Sequence, residues 1–397
     1  MSESNMSELI IERVGEKGDG LAAGKAYARA LPGEVVDAKG QVLKPSADRI
    51  AAFCPVFDSC GGCKLQHWRD EPYRAWKASL LSSALAARGL QTKFGEIIDA
   101  HGLGRRRVAL HVRDVAGRWR AGFMAEGSHN LVPIDRCPIL VPQLQAAPEL
   151  AAKFGAFFGD CDVWVTAADN GLDIAIKAKR KLAEQAVAQF ELLMRANNIT
   201  RIAVNGETRG QFAPPNLMLG KAMVGVPMGG FLQATQKGEE VLAELIHANL
   251  KKSQRVLDLF CGIGPFTFRL AERHTVHAVD SDKPAIAAMQ LALRNTQGLK
   301  PITTEVRDLF RNPVTPMELN EFDAVVLDPP RAGAEAQCVS IATSKLKQVI
   351  YVSCDPQSLA RDAKVLCQAG FKLESATPVD QFKYSPHLET VTVFKRR

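Results

Sequence analysis

Residues 256–267, VLDLFCGIGPFT, contain the turn that decides the fold of this chain. An apolar run that includes Asp258 leads into Gly262 and Gly264, and a stretch with helical character follows. Glycines at such a turn allow the backbone to approach a nucleotide closely, at the switch point of a doubly wound sheet. The turn lacks the GxGxxG pattern of dinucleotide-binding proteins, and taken alone it is also compatible with a ligand-free β–α turn.

The residues after this turn alternate between strand-like and helical stretches, as an α/β sheet requires. Five apolar runs have strand length: RVLDLF, TVHAVD, FDAVVLD, QVIYVSC and ETVTVF. Asp280 ends the second run, where a carboxylate can accept hydrogen bonds from ribose hydroxyls. We therefore predict a doubly wound catalytic domain over 231–397, introduced by an amphipathic helix within 231–250, with Asp308 near the adenine of a nucleotide cofactor.

Cys354, in YVSCDPQSLARD, is the predicted nucleophile. It follows an apolar run and precedes an Asp-Pro turn, so we expect an exposed sulfur. Most free cysteines are small buried hydrophobes, and Cys261, Cys338 and Cys367 are interpreted in that way. The end of a strand, next to a turn, is where a thiol is accessible enough to act as a nucleophile.

Two acidic residues complete the predicted site. Asp328, in VVLDPPRAG, ends an apolar run, and Pro329-Pro330 fix the backbone beyond it. Glu389 precedes the last strand and is predicted to be the general base, with His387 as a candidate to orient it. Either carboxylate alone is also compatible with a solvated loop residue.

These blocks, in this order, resemble the RNA 5-methyluridine methyltransferases, which use S-adenosylmethionine and a class I (Rossmann-like) methyltransferase domain. FLQAT (231–235) also resembles their Phe-x-Gln-x-Asn block. The resemblance implies that Cys354 adds to uracil carbon 6 and that Glu389 is the base. It implies that five residues bind the cofactor: Gln233, Phe260, Asp280, Asp308 and Asp328. The chain departs from the family pattern at Thr235, Pro265, Asp355, Lys383 and Tyr384.

Four cysteines resemble the iron–sulfur ligands of this family: Cys54, Cys60 and Cys63 in CPVFDSCGGCKLQHW, and Cys137 in DRCPIL. Four thiolates suit a 4Fe–4S cluster. The spacing is less typical of zinc ribbons, where cysteine pairs dominate, but a four-cysteine zinc site stays open as the alternative. Within the family the cluster is typical of the ribosomal RNA branches, which favours 23S rRNA as the substrate.

The remaining residues form two predicted units. Residues 1–47 read as a small β unit, either a barrel of the OB/TRAM type or a β extension of the next domain. Residues 48–230 read as a central α+β RNA-binding domain with the iron–sulfur site, in which helix 72–90 packs on the catalytic domain. GRRRVALHVRDVAGRWR (104–120) contains six arginines with Trp119 and His111. Arg105–Arg107 begin a strand whose alternation exposes one face, which is predicted to bind RNA phosphates while Trp119 stacks a base, although a solvated basic hairpin is the plainer interpretation.

Composition bounds these hypotheses. The chain has 397 residues, 46% hydrophobic and 23% charged, with a formal net charge of +7. It has no apolar run that could span a membrane and no signal peptide, so we expect a cytoplasmic monomer that binds RNA and no membrane. Three alternatives stay open: the same chemistry on transfer RNA uridine or RNA cytosine, a non-catalytic RNA-binding or ribosome-assembly protein, and a redox protein built on the cluster.

Overall fold

The computed structural model describes residues 8–250 and 255–396. Within these two ranges, the strands form two small N-terminal sheets, a central seven-stranded sheet, a two-stranded hairpin and a C-terminal nine-stranded sheet. The predicted α/β architecture of the C-terminal domain is confirmed. No helix in the described ranges is both long and apolar enough to cross a lipid bilayer.

The N-terminal unit consists of two antiparallel sheets of three strands each, in the orders β1-β5-β6 and β2-β3-β4. Its strands are β1 (Leu9–Ile10), β2 (Arg13–Val14), β3 (Gly20–Ala22), β4 (Lys25–Tyr27), β5 (Val35–Val36) and β6 (Val42–Lys44). The buried carboxylate of Glu34 accepts hydrogen bonds from Arg49 Nε at 2.6 Å and from the Leu31 backbone N–H at 2.8 Å. Whether this unit is of the OB/TRAM type stays a prediction.

Helix α1 (Asp70–Ala86) forms where apolar residues recur at helical spacing. Leu81 and Leu85 enter the core of the C-terminal domain. After the helix, β7 (Lys93–Phe94) and β8 (Ile98–Asp99) pair in parallel with β23 (Lys372–Asp380) of the C-terminal sheet. The division at 47 and 230 stays a prediction, but the pairing shows that part of segment 48–230 completes the sheet of the third segment.

The central sheet has the order β11-β10-β9-β12-β13-β14-β15. Its strands are β9 (Arg107–Val115), β10 (Arg118–Met124), β11 (Leu131–Pro133), β12 (Cys161–Ala168), β13 (Gly171–Ala178), β14 (Ile199–Val204) and β15 (Glu207–Gln211). Its helices are α2 (Ala147–Lys153), α3 (Gly155–Phe158) and α4 (Val187–Ala196). The hairpin of β16 (Asn216–Leu219) and β17 (Ala222–Gly225) follows and packs on the C-terminal domain.

The C-terminal sheet has the order β20-β19-β18-β21-β22-β24-β23-β7, with β8 also paired to β23. Its strands are β18 (Arg255–Leu259), β19 (Thr275–Asp280), β20 (Ile302–Val306), β21 (Ala324–Leu327), β22 (Gln348–Ser353), β23 (Lys372–Asp380) and β24 (Glu389–Lys395). Its helices are α5 (Gln236–Asn249), α6 (Thr267–Leu270), α7 (Lys283–Arg294), α8 (Pro316–Leu319), α9 (Glu335–Thr343) and α10 (Pro356–Gln368). Strands β18 to β22 are parallel, and β24 is antiparallel to β22. The order reverses between β18 and β21, which places a switch point at their carboxyl ends.

Candidate active site

The predicted site residues meet at one edge of the C-terminal sheet. Parallel strands end on the same side, so residues that end or follow them lie together: Phe260, Asp280, Asp308, Asp328 and Cys354. Because β24 runs in the opposite direction, its first residue lies at the same edge. The register pairs Ser353 with Thr390, which sets Cys354 beside Glu389.

The glycine turn has the open backbone expected of a cofactor loop. Gly262 has φ +54°, and a Cβ added there would meet no atom within 4 Å. The Asp280 carboxylate accepts from the backbone N–H of Gly262 and from that of Asp282, each at 2.8 Å. Each carboxylate oxygen can accept a further hydrogen bond, so Asp280 fixes the turn and retains lone pairs for ribose hydroxyls.

An aromatic pair lies at the ends of β18 and β20. The rings of Phe260 and Phe310 have centroids 5.5 Å apart, and Phe310 is 51% exposed. Asp308 accepts from the backbone N–H of Phe310 at 3.0 Å, so its carboxylate shapes the turn that carries this ring. Phe260 holds φ +62°, a costly conformation for a bulky residue, which is typical of a constrained functional turn.

Asp258 lies buried beneath the glycine turn, inside β18. Thr267, in the first turn of α6, donates a hydrogen bond of 2.5 Å to one carboxylate oxygen. Burial raises the pKa of Asp258 to about 7, and the charge of Asp280 adds to the rise. The other oxygen, Oδ1, is buried without a hydrogen-bond partner among the described residues.

A chain of side-chain amides joins the two acidic residues of the catalytic half. Gln233 donates to Asp328 Oδ2 at 3.0 Å, and Gln381 donates to Gln233 Oε1 at 2.8 Å and to Glu389 Oε1 at 3.2 Å. Glu389, Gln381 and Gln233 are buried. Gln233, which was predicted to contact the cofactor, thus touches Asp328.

Burial sets the protonation of the two carboxyls. It raises the pKa of Glu389 to about 7, while the hydrogen bond from Gln381 and the charge of Arg331 oppose that rise. Burial, followed by the negative charge of Glu389, raises the pKa of Asp328 well above its ordinary value. Two like charges in one dry site repel each other, so ionisation of one carboxyl disfavours ionisation of the other.

Cys354 opens onto a cavity of about 410 Å³. This cavity is also lined by the Glu16–Lys17 turn of the N-terminal unit, by Lys64 and by His387. Burial raises the pKa of the Cys354 thiol to about 12, with further increases from Glu389 and Asp328 and a decrease from Arg331. The sulfur was expected to be exposed; in the structure Cys354 is half-buried beside this cavity, and its burial favours the thiol over the thiolate.

His387 faces Arg331 rather than the predicted base. Its Nε2 lies 3.0 Å from Arg331 Nη2, which can only donate. Burial and the neighbouring positive charges of Arg331, Lys77 and Arg105 lower the pKa of His387 to about 4. The His387 ring is therefore neutral at physiological pH and orients the Arg331 guanidinium beside Cys354. Among the described residues, His387 makes no hydrogen bond to Glu389.

The four clustered cysteines line a single cavity of about 310 Å³: Cys54, Cys60, Cys63 and Cys137. Burial raises the pKa of Cys137 to about 12, and the other three thiols each add to this rise, as expected for neighbours. In the described ranges, no group of three or more His, Cys, Asp or Glu side chains is arranged around a single metal ion.

The predicted RNA-binding face divides into exposed and structural residues. Arg118 and Arg120 are exposed. Arg106 is buried, where it binds the Gln233 carbonyl oxygen at 2.8 Å and Glu239 at 2.6 Å. The Trp119 ring packs so closely on Gly155 that an added Cβ would lie 2.4 Å from it. Arg106 therefore lies on the inward face of the alternating strand, while the half-buried Trp119 packs on Gly155 and its stacking on an RNA base stays a prediction.

Sequence reasoning missed three residues that the structure places at the site. Gln381 joins the two acidic residues, Phe310 supplies a second ring, and Thr267 holds Asp258. A glutamine one residue after an unpredicted strand carries no recognisable pattern. Phe310, by contrast, follows Asp308 by two residues and was within reach of a search for exposed aromatic side chains near the cofactor loop.

Comparison with known proteins agrees with this geometry. A family profile described as tRNA (Uracil-5-)-methyltransferase matches residues 228–397. An uncharacterized RNA methyltransferase of Caulobacter vibrioides is 44% identical, over 98% of this chain and 100% of the relative. The 23S rRNA (uracil(1939)-C(5))-methyltransferase RlmD of Vibrio vulnificus is 30% identical, over 99% of this chain and 97% of the relative.

A solved structure shares the whole fold. The tRNA (uracil-54, C5)-methyltransferase of Pyrococcus abyssi, in complex with S-adenosyl-L-homocysteine, superposes with a TM-score of 0.77 at 19% identity, covering 98% of this chain and 100% of that one. The fold and the strand-edge site define a methyltransferase of the doubly wound class. By its full-length relatives, the chain belongs to the RNA (uracil-5-)-methyltransferase family, which confirms the resemblance found in its motifs.

Proposed function

We propose that the protein transfers a methyl group from S-adenosylmethionine to carbon 5 of a uridine in 23S ribosomal RNA, through a covalent bond between Cys354 and carbon 6. The observation that carries this proposal is the pairing of Ser353 with Thr390, which sets the thiol and Glu389 side by side. A nucleophile next to a buried carboxyl, whose burial raises its pKa to about 7, suits a reaction that needs both covalent attack and proton removal at neutral pH.

The chemistry proceeds from the sulfur. Cys354 releases its proton to solvent, and its sulfur bonds to carbon 6, so that the electrons of the ring double bond make carbon 5 nucleophilic. Burial raises the pKa of Asp328, and a carboxyl that favours its protonated form can donate a hydrogen bond to the negative charge on the ring. When bound, S-adenosylmethionine supplies an electrophilic methyl group. Glu389 takes the proton from carbon 5, the double bond re-forms, and the sulfur leaves as a thiolate.

The described residues fit the cofactor. The space around the Gly262 backbone is open, so a nucleotide could approach it closely. The neighbouring Asp280 carboxylate has lone pairs left to accept hydrogen bonds from a ribose. The Phe260 and Phe310 rings offer apolar faces to an adenine, next to Asp308. Gln233 contacts the same site through its hydrogen bond to Asp328. These residues would hold the cofactor at the same sheet edge as Cys354.

Two observations favour ribosomal RNA as the substrate. The relative from Vibrio vulnificus, whose name gives 23S rRNA as its substrate, aligns with this chain along nearly its full length. The four cysteines that line one cavity also suit the cluster-containing branch. A uridine must leave its base stack to reach Cys354, so the target lies in a loop or is flipped out. Transfer RNA uridine and RNA cytosine remain the alternative substrates.

The same four cysteines would hold a 4Fe–4S cluster. All four thiols line one cavity of about 310 Å³, and a four-cysteine zinc site stays the alternative for this ligand set. Four thiolates at a multi-atom cavity match the ligand chemistry of iron–sulfur clusters. The cluster would tie the loop of residues 54–63 to Cys137 and so support the RNA-binding domain, since methyl transfer requires no electron.

Release of tritium from carbon 5 tests the proposed reaction. The protein is incubated with S-adenosylmethionine and total RNA labelled with tritium at uracil carbon 5, next to Cys354→Ala and Glu389→Gln variants. We expect cofactor-dependent release from 23S rRNA that is lost in both variants. Release from transfer RNA instead would support the proposed reaction but show that the substrate is transfer RNA and not 23S rRNA. A protein that binds the cofactor but releases no tritium from any RNA would contradict the proposed reaction.

A further inference from the structure

We propose that Gln381 is the positioning residue of the general base, because its side-chain amide holds Glu389 in place for proton removal. This inference rests on the proposed function. Gln381 follows the last residue of β23 and is fully buried. One amide nitrogen donates to both Glu389 Oε1, at 3.2 Å, and Gln233 Oε1, at 2.8 Å.

The direction of this hydrogen-bond chain is set from its far end. Gln233 directs its amide nitrogen to Asp328 Oδ2 at 3.0 Å, which turns its carbonyl oxygen towards Gln381. A carbonyl oxygen and a carboxylate both need a donor, so the amide nitrogen of Gln381 must lie between them. The amide thus connects the acid of β21 with the base of β24.

The rest of the Gln381 side chain is confined on the opposite side. A Cβ added to Gly238 would lie 2.5 Å from Gln381 Oε1, so the glycine in the first turn of α5 provides the room for this amide. The preceding residue, Asp380, is bound by Lys77 at 2.5 Å and by the Tyr73 hydroxyl at 2.7 Å. Gln381 therefore has little freedom to move away from Glu389.

The arrangement leaves the second oxygen of the base free. Glu389 Oε2 is buried and has no hydrogen-bond partner among the described residues, so it is available for a proton. Holding Oε1 on the Gln381 amide fixes the direction in which Oε2 points. The same hydrogen bond stabilises the ionised form and lowers the pKa of Glu389 against the larger rise caused by burial.

The test compares three variants. Gln381→Met keeps the length of the side chain but has no amide, and Gln381→Asn keeps an amide that is one methylene too short. Gln337→Met is the matched control, because Gln337 is equally buried and bonds only to the backbone of Val314. Thermal unfolding of each variant reports folding separately from catalysis.

The measured quantities are tritium release across pH and the covalent protein–RNA complex on denaturing gels. Without the amide the base is ionised at higher pH, so we expect the ascending limb of the pH–rate profile of Gln381→Met to move up by about 1 pH unit, the effect of one hydrogen bond to a charged group. The rate near pH 7 should fall about fivefold, since the ionised fraction of the base drops from about one half to about one eleventh, and it should recover at higher pH. The protein–RNA complex should accumulate, since it waits for proton removal, and Gln381→Asn should lie between Gln381→Met and the wild type.

Two outcomes would overturn the inference in different ways. A Gln381→Met protein with the wild-type pH limb and no more complex than Gln337→Met would show that Gln381 is only structural, while wild-type release would keep the proposed function. A wild-type protein that releases no tritium would overturn the proposed function and, with it, the role assigned to Gln381.

Discussion

Cys354 is surrounded by groups that suppress its own reactivity. Its thiol shares the strand edge with two buried carboxyls, and their charges add to the effect of burial on its pKa. Only Arg331 acts in the opposite direction. A thiol whose pKa is about 12 is almost entirely protonated at neutral pH, so the free protein is protected from adventitious alkylation and oxidation.

This protonation predicts slow alkylation. In the RNA-free protein, we expect iodoacetamide to label Cys354 slowly at pH 7 and increasingly fast as the pH rises towards 12, because the thiolate fraction grows towards the pKa. Glu389→Gln removes a negative charge and should speed labelling severalfold at pH 8–9. Peptide mass spectrometry measures the rate, and Cys367, half-buried on α10, serves as the internal control. Rapid labelling of Cys354 at pH 7 would contradict this account.

At the residue scale, the sequence predicted those site residues that lie at the ends of strands. Cys354, Asp328 and Glu389 follow or begin apolar runs, and parallel topology brings such positions together. Gln381 was out of reach, because its role depends on Gln233, far away in the chain, and on the room left by Gly238. The run of arginines did not reveal which of its members turns inward, and in the structure Arg106 bonds to Glu239.

At the scale of elements, a buried ion pair fastens α1 to the catalytic edge. Lys77 and Asp380 have side chains 0% and 5% exposed, and their charged atoms lie 2.5 Å apart. Lys77 also donates to the Phe382 carbonyl oxygen at 2.9 Å and to the Tyr73 hydroxyl at 3.0 Å. Burial lowers the pKa of Lys77 to about 8, and the negative charge of Asp380 opposes this decrease. Because Asp380 precedes Gln381, helix α1 supports the segment that positions the base.

Loss of one partner should be costly. Lys77→Met leaves the Asp380 charge buried without its ion-pair partner, and we expect the free energy of unfolding to fall by about 3 kcal/mol. Adding Asp380→Asn removes that charge and should restore part of the loss. Urea denaturation measures both. Lys364→Met, on the exposed face of α10, is the control and should change stability by less than about 0.5 kcal/mol. Equal effects of Lys77→Met and Lys364→Met would refute the role of the pair.

The periodic elements were predictable and the short or interrupted ones were not. Helix α1 and the apolar strands β18, β19, β21 and β22 follow clear hydrophobic patterns. Strand β23 was missed because it contains Pro378, which normally argues against a strand. Strands β7 and β8 have two residues each, too few for any periodic signal, and only tertiary pairing with β23 defines them.

At the scale of the whole molecule, the cysteine cavity connects the central domain with the catalytic edge. The backbone N–H of Lys64, next to Cys63, donates to the Tyr384 carbonyl oxygen at 2.9 Å. The Tyr384 backbone N–H donates in turn to the Tyr73 hydroxyl at 2.9 Å. The segment that carries Cys63 is thus bonded to the loop between Gln381 and Glu389, an arrangement that the separate sequence motifs did not indicate.

Removal of the predicted iron–sulfur cluster would test this connection. Protein purified without oxygen should be brown, with about four iron atoms per chain, and chelation or Cys137→Ser should bleach it and lower the thermal midpoint. The midpoint should fall because the proposed cluster would link distant parts of the chain. Cys161→Ser is the control, since this buried cysteine does not line the cavity. Anaerobic protein that is colourless, or that contains zinc instead, would contradict the cluster.

Strands β7 and β8 also impose an order on biosynthesis. Lys93 pairs with Ser375, and Ile98 with Val379, so a ribosome makes one partner long before the other. At about 5–20 residues per second, the interval lasts about 15–60 s, during which the earlier segment has no strand to join. The nascent polypeptide must therefore keep this segment from pairing with other chains, a demand that chaperones meet for proteins with distant strand partners.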